Sequence, residues 1–182
     1  MSDFTFELSA QEKDYLKQLA WLSIKVAFEE NINYPEPPTE KMKEKLGAFV
    51  TLKIKGKLRG CIGHIIGDKP LWKTIIRMAS QAAFHDPRFP PLQKAELNSI
   101  NLEISILSPL SKVDNPQDIV PGKHGLLIRQ GAHSGLLLPQ VAVEWKWDRN
   151  TFLANTCRKA GLLDNCWQDP NTEIFWFQAA VF

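Results

Sequence analysis

Leu58-Arg-Gly-Cys-Ile-Gly-His64 is the stretch whose residue types and spacing could do chemistry. Glycines on both sides of a cysteine weaken a strand and let something approach its backbone closely. In an extended segment Arg59 and Cys61 share a face about 7 Å apart, and a nearby guanidinium favours thiolate, the nucleophilic form of cysteine. Cys61 is therefore a candidate nucleophile with Arg59 beside it, and Gly60, Gly63 and His64 complete the segment. His124, in Pro121-Gly-Lys-His-Gly125, is a candidate acid or base that could activate the thiol. Asp86 and Arg88 project from His85-Asp-Pro-Arg-Phe-Pro-Pro91, a loop stiffened by prolines. With its planar fork, Arg88 could join Arg59 in holding a small anionic ligand, and Glu103 and Glu144 are candidate orienting carboxylates.

Each of these residues also has a purely structural reading. A two-residue turn at Gly56-Lys57 sets Cys61 opposite Leu52 and Arg59 opposite Ile54, on an apolar face where free cysteine packs as a small hydrophobe. Asp86 and Arg88 could pair with each other as a helix stop, His124 could close a turn, and Glu103 could be solvated. Cys61-Ile-Gly-His64 has the spacing of half a zinc site, but Cys157 and Cys166 supply no matching second half, so no metal is expected. No glycine fingerprint or phosphate loop is present, so no nucleotide cofactor is expected. Lys41, Lys43, Lys45, Lys53, Lys55 and Lys57 make the first hairpin basic, which suits solubility better than RNA binding. Trp145, Trp147, Trp167 and Trp176 are read as core or lobe-interface anchors, with a base-stacking platform as the alternative.

The elements that position these residues are set by periodicity. Ser9-Ala-Gln-Glu12 is a capping box that opens a helix over about 9–30, with Tyr15, Leu16, Leu19, Leu22 and Val26 at helical spacing. Tyr34-Pro-Glu-Pro-Pro38 forbids regular structure and reads as a stiff linker. Residues 48–54 alternate as a strand that returns through 58–66. Asp68 is placed to cap a helix with Pro70 in its first turn and Leu71, Ile75, Met78, Ala79 and Ala82 on one face. Residues 100–107 form a strand. A second hairpin over 125–138, a helix over 148–160 and a last strand over 173–182 repeat the order hairpin, helix, strand. The expected fold is α+β: antiparallel sheet with helices packed on it, two-lobed, an internal duplication preceded by an N-terminal helix.

Bulk properties set the class. The 182 residues are 44% hydrophobic and 23% charged, with 22 Lys and Arg against 20 Asp and Glu, so disordered and coiled-coil classes are excluded and nucleic acid is not the default partner. Three cysteines are too few and odd for a disulfide framework, and a reducing compartment is expected. Neither a leader-like start nor an apolar run of membrane-spanning length occurs, so a cytoplasmic protein without a membrane partner is expected.

Leu58-Arg-Gly-Cys-Ile-Gly63 resembles the signature hexapeptide of the AMMECR-type domain. The likeness continues through Ala83-Phe-His-Asp-Pro-Arg-Phe-Pro-Pro-Leu92, His124-Gly125, Leu138-Pro-Gln-Val141 with Glu144, and Cys157-Arg-Lys-Ala-Gly-Leu162. The resemblance implies one AMMECR-type domain over 1–182 with a two-lobed α+β fold, a smaller lobe combining the N-terminal helix and linker with parts of the second half. Prokaryotic members resemble protein A of the AmmeMemoRadiSam arrangement, which implies MEMO-type and radical-SAM proteins as partners; it assigns no reaction. Two functions are then in contention: an enzyme or enzyme component with a cysteine-centred, anion-accepting pocket, or a binding module whose hexapeptide is a packing device. An RNA-binding module is a third.

Overall fold

The computed structural model describes residues 7–29 and 32–182. Two compact units are present: the described residues up to Leu107 together with Ala180–Phe182 form the first, and Ser108–Ala179 the second. Each has its own apolar core and its own four-stranded sheet with antiparallel pairing, so the fold is α+β.

Helix α1 (Ala10–Lys25) starts at the capping box: the Ser9 hydroxyl accepts from the Glu12 N–H at 3.2 Å, and the Glu12 carboxylate accepts from the Ser9 N–H at 2.9 Å. The buried Glu12 also accepts from the Thr39 hydroxyl at 2.7 Å, which ties the far end of the proline-rich linker to the helix. The helix ends at Lys25, short of the expected residue 30, and Glu30 itself lies outside the described residues. Its Leu16, Leu19 and Ile24 face packs on helix α2 (Leu71–Phe84) in the first core. Pro70, without a side-chain cap bond, stands where Asp68 was expected to cap α2; Asp68 instead pairs with Arg77 at 3.0 Å, in the second turn of the helix.

Strand β1 (Gly47–Ile54) turns through Lys55 and Gly56, both left-handed at φ 51° and 77°, into β2 (Lys57–His64). The turn is one residue earlier than the sequence suggests, which moves the pairing by two positions and by itself preserves the faces. A bulge then skips Arg59, since Leu58 faces Lys53 and Gly60 faces Leu52. That single extra residue flips the remainder of the strand: Cys61 lies opposite Thr51, on the face away from Val50 and Leu52, and the expected apolar register is overturned. Gly60 takes the core face, where a Cβ would run into the Ala82 carbonyl of α2. At Gly63 a Cβ would instead meet the Phe49 ring. Strand β3 (Ile100–Leu107) pairs with β1 along its whole length.

The second unit contains β4 (Ser111–Lys112), β5 (Gly125–Gln130), β6 (His133–Leu137), helix α3 (Pro139–Glu144), helix α4 (Arg149–Lys159) and β7 (Glu173–Phe177). The last expected strand is two: after β7 the chain passes Gln178 into β8 (Ala179–Val181), which joins the first sheet beside β3. The orders are β2-β1-β3-β8 and β4-β7-β5-β6. The repeat is thus topological, since in both units a hairpin is extended on its first strand by the strand that comes after the helix. It reaches single residues, because Gly135 of β6 sits under Ala160 at the end of α4 as Gly60 sits under Ala82.

Two further expectations are corrected. Cys157 and Cys166 form a disulfide with Cα atoms 5.9 Å apart, because Gly161 in a left-handed conformation turns the chain back from α4; Cys61 is the free cysteine. Trp145 is 68% exposed and not a core anchor, whereas Trp147, Trp167 and Trp176 pack partly against the second core. No helix among the described residues is long and apolar enough to cross a membrane.

The two glycines of β2 meet different obstacles, backbone at Gly60 and, at Gly63, the Phe49 ring, which clears a new Cβ only by turning about its own Cα–Cβ bond. Gly60→Ala is therefore expected to destabilise by about 3 kcal/mol and Gly63→Ala by about 1 kcal/mol. Urea unfolding of the two variants checks the order, and equal costs would overturn it.

Candidate functional site

The site is built where the chain leaves α2 and folds against the open edge of β2. Cys61 pairs on one side only, and its N–H and C=O both point off the edge. The Asp86 carboxylate accepts the Cys61 N–H at 2.9 Å, and the Arg88 guanidinium donates to the Cys61 carbonyl at 3.1 Å. Asp86 and Arg88 also join to each other, through Nε at 2.9 Å and Nη2 at 2.7 Å, while the Arg88 N–H donates to the same carboxylate at 3.1 Å. A side-chain pair thus occupies the position a neighbouring strand would take. Asp86 is 4% exposed, and a carboxylate there is tolerated only because charge-assisted hydrogen bonds replace its water. The Arg88 guanidinium, with the Cys61 and Arg88 N–H groups, holds its carboxyl well below the usual range, and Asp86 in turn raises Arg88.

Arg59, displaced by the bulge, forms a two-pronged bond with Glu96, Nε to Oε1 at 2.8 Å and Nη2 to Oε2 at 3.0 Å. Both arginines lie against one ring: the Arg59 and Arg88 guanidinium carbons are 5.9 and 5.5 Å from the centroid of Phe89. Phe89 and Glu96 escaped the sequence reading. A capping box between Gln93 and Glu96, found in the structure, orders Glu96 where Arg59 reaches it.

The thiol sits in a cross-strand row, Cys61 beside Thr51 beside Glu103. The Thr51 hydroxyl donates to the Cys61 sulfur at 3.2 Å, and Glu103 pairs with Lys53 at 3.0 Å. Burial pushes the Cys61 thiol up; the Thr51 bond and the Arg88 charge oppose this, and Asp86 and Glu103 add to it. The cation that acts on the sulfur is Arg88, while Arg59 is engaged by Glu96.

The other candidates lie elsewhere. His64 ends β2 with Nε2 3.7 Å from Asp68. His124 belongs to the second unit, where its Nδ1 accepts from the Val120 N–H at 3.1 Å and its ring packs 4.5 Å from Trp176. Glu144 is exposed at the end of α3, also in the second unit. The structure thus brings Cys61, Gly60, Gly63, Asp86, Arg88 and Arg59 together in one unit. Among the described residues no three His, Cys, Asp or Glu side chains converge as metal ligands. In the basic hairpin region Lys41, Lys43 and Lys53 pair with Glu12, Glu40 and Glu103.

Comparison with known proteins gives a consistent set of matches. A family model described as AMMECR1 matches residues 17–182. A protein of Nanoarchaeum equitans is 46% identical, over 81% of this chain and 86% of its own length. One from Methanothermobacter thermautotrophicus is 43% identical, over 96% of this chain and 95% of its own. The crystal structure of an uncharacterized protein from Pyrococcus horikoshii matches with a TM-score of 0.89 at 37% identity, covering 97% of this chain and 93% of that one.

The geometry gives two expectations. A carboxyl held below its unfolded value of about 3.9 stabilises the fold above that pH, and the contribution is lost as pH falls further toward the folded value. Asp86→Asn is therefore expected to cost about 2–3 kcal/mol at pH 7 and to lessen the acid sensitivity of the remaining stability below about pH 4. Urea midpoints across that range check this, and an unchanged acid slope would exclude the clamp as its source. On folded protein, alkylation of Cys61 should titrate above the reference thiol's value of about 8.5, as peptide mass spectrometry across pH would show.

Proposed function

The chain belongs to the AMMECR1 family, and we propose that it acts as a non-catalytic binding module in which the Leu58–Gly63 strand is a structural edge. One observation carries this reading: the groups that a thiol enzyme would leave free for substrate are already engaged. Arg59 is closed by Glu96, Arg88 by Asp86 and the Cys61 carbonyl, the Cys61 N–H by Asp86, and the thiol is shifted toward its neutral form. The glycines are likewise accounted for by packing against Ala82 and Phe49.

A binding module needs a contact surface, and the second unit offers one. Val143 and Trp145 are 63% and 68% exposed, and the Trp145 and Trp147 rings stack with centroids 6.2 Å apart. Large exposed apolar side chains close together in sequence favour protein contact over solvent. The resemblance to the AmmeMemoRadiSam arrangement supplies the partner: a MEMO-type protein, in an assembly that also includes a radical-SAM protein.

Co-purification and calorimetry with the MEMO-type neighbour test the proposal. The wild-type protein is expected to bind at micromolar concentration. Val143→Asp with Trp145→Ala should weaken binding at least tenfold, about 1.4 kcal/mol, while Cys61→Ser leaves it unchanged. Failure to bind either neighbour, or loss of a turnover by the assembly on Cys61→Ser alone, would return the thiol enzyme with its anion-accepting pocket to first place.

A further inference from the structure

The Cys157–Cys166 disulfide differs from an ordinary buried staple in the surroundings of its two sulfurs. Both cysteines pack in the second core, Cys157 of α4 fully buried and Cys166 7% exposed. Cys166 lines a surface cavity of about 730 Å³ whose walls are Gly161, Leu162, Leu163, Asn165, Gln168 and Asp169, with Gln130 of β5 opposite. Cys157 has no exposed surface, whereas Cys166, itself only 7% exposed, borders a space large enough for an incoming thiol.

The segment between the cysteines is also closed without the covalent bond. The Leu162 N–H donates to the Cys157 carbonyl at 3.0 Å, the Cys166 N–H donates to the Leu163 carbonyl at 2.9 Å, and Arg158 pairs with Asp164. Beyond it, Gln130 donates to Asp169 at 3.0 Å, which anchors the far wall of the cavity to the sheet. Opening the disulfide therefore leaves the backbone held near its place, so the bond can break and re-form without unfolding the unit.

We infer that Cys157–Cys166 is a thiol–disulfide exchange site, attacked at Cys166 by a dithiol reductant entering the cavity. A thiolate of the dithiol bonds to the Cys166 sulfur, the S–S bond breaks, and its electron pair leaves on the Cys157 sulfur, which takes a proton. The second thiol of the reductant then attacks the mixed disulfide. Cys166 is released and protonated, and the reductant departs as its own disulfide, having given up two electrons and two protons. Reduction removes the covalent tie behind the wall that carries Leu163, 79% exposed, and leaves that wall held by the hydrogen bonds and the Arg158–Asp164 pair alone.

The test uses the intact protein. Untreated protein should show Cys157 and Cys166 blocked to alkylation, and dithiothreitol without denaturant should open Cys166 to alkylation, with Cys157 labelled only on subsequent denaturation. Reduced glutathione, a monothiol, should trap a mixed disulfide on Cys166. Hydrogen exchange should rise over residues 158–169 while β5 and β7 stay protected, and the melting temperature should fall by roughly 5–10 °C. Cys157→Ala should leave a Cys166 thiol that takes up oxidised glutathione in the folded state, whereas the Cys157 thiol of Cys166→Ala should not. Free thiols at both positions in protein purified without reductant under air, reduction only after denaturation, or first capture on Cys157 would each overturn the inference.

Discussion

A single buried carboxylate organises the first unit. Asp86 sits where α2 has ended and the chain must return across the sheet, and there it accepts the outward N–H of Cys61 while holding the arginine that covers the outward carbonyl. An open strand edge presents unpaired backbone groups that solvent, a stray strand or a deliberate device must satisfy. Here the device comes from the loop itself. A carboxylate and a guanidinium two residues apart present an acceptor and a donor in the spacing of a strand's own backbone. The prolines around them restrict the loop before folding and so lower the entropy lost in forming the clamp.

The chemistry of Cys61 is a consequence of that clamp. Had Arg59 remained beside the thiol with no partner, the strand would present a cation next to a nucleophile. The bulge carries Arg59 toward Glu96 and turns Cys61 to the face of Thr51 and Glu103, so the sulfur is surrounded by a hydroxyl and two carboxylates, with Arg88 as the opposing charge. Desolvation then outweighs that charge, and the thiol is held toward its neutral form.

The second unit repeats the topology with a different solution for its irregular segment. In the first unit the helix leads into the Asp86–Arg88 loop, whereas in the second α4 leads into a turn through Gly161 closed by a disulfide and by the Arg158–Asp164 pair. The packing rule is shared, a glycine on the hairpin's second strand lying under an alanine at the end of the helix, as Gly60 under Ala82 and Gly135 under Ala160. The surfaces differ, polar and clamped at Arg88 and Asp86 in one unit, apolar at Val143 and Trp145 in the other.

The sequence by itself determined what local physics controls. Alternation placed β3 at Ile100–Leu107, the Ser9–Glu12 box opened α1, and the order of hairpin, helix and strand was legible twice because each element carries its own periodicity and stops. The hexapeptide was legible as a place of close approach, since only glycine accepts a carbonyl or a ring at that distance. The face of Cys61 was not, because one bulged residue reverses every side chain beyond it, and the glycines at 60 and 63 suit a bulge without fixing where it falls. Nor were the partners of Arg59 and Cys157 legible. Glu96 lies 37 positions from Arg59, and Cys166 is brought back to Cys157 by a turn; both pairings exist only once the intervening chain has folded, and no spacing rule encodes them. Tertiary structure alone decided that these groups meet, because pairing depends on distance in space, which periodicity does not fix.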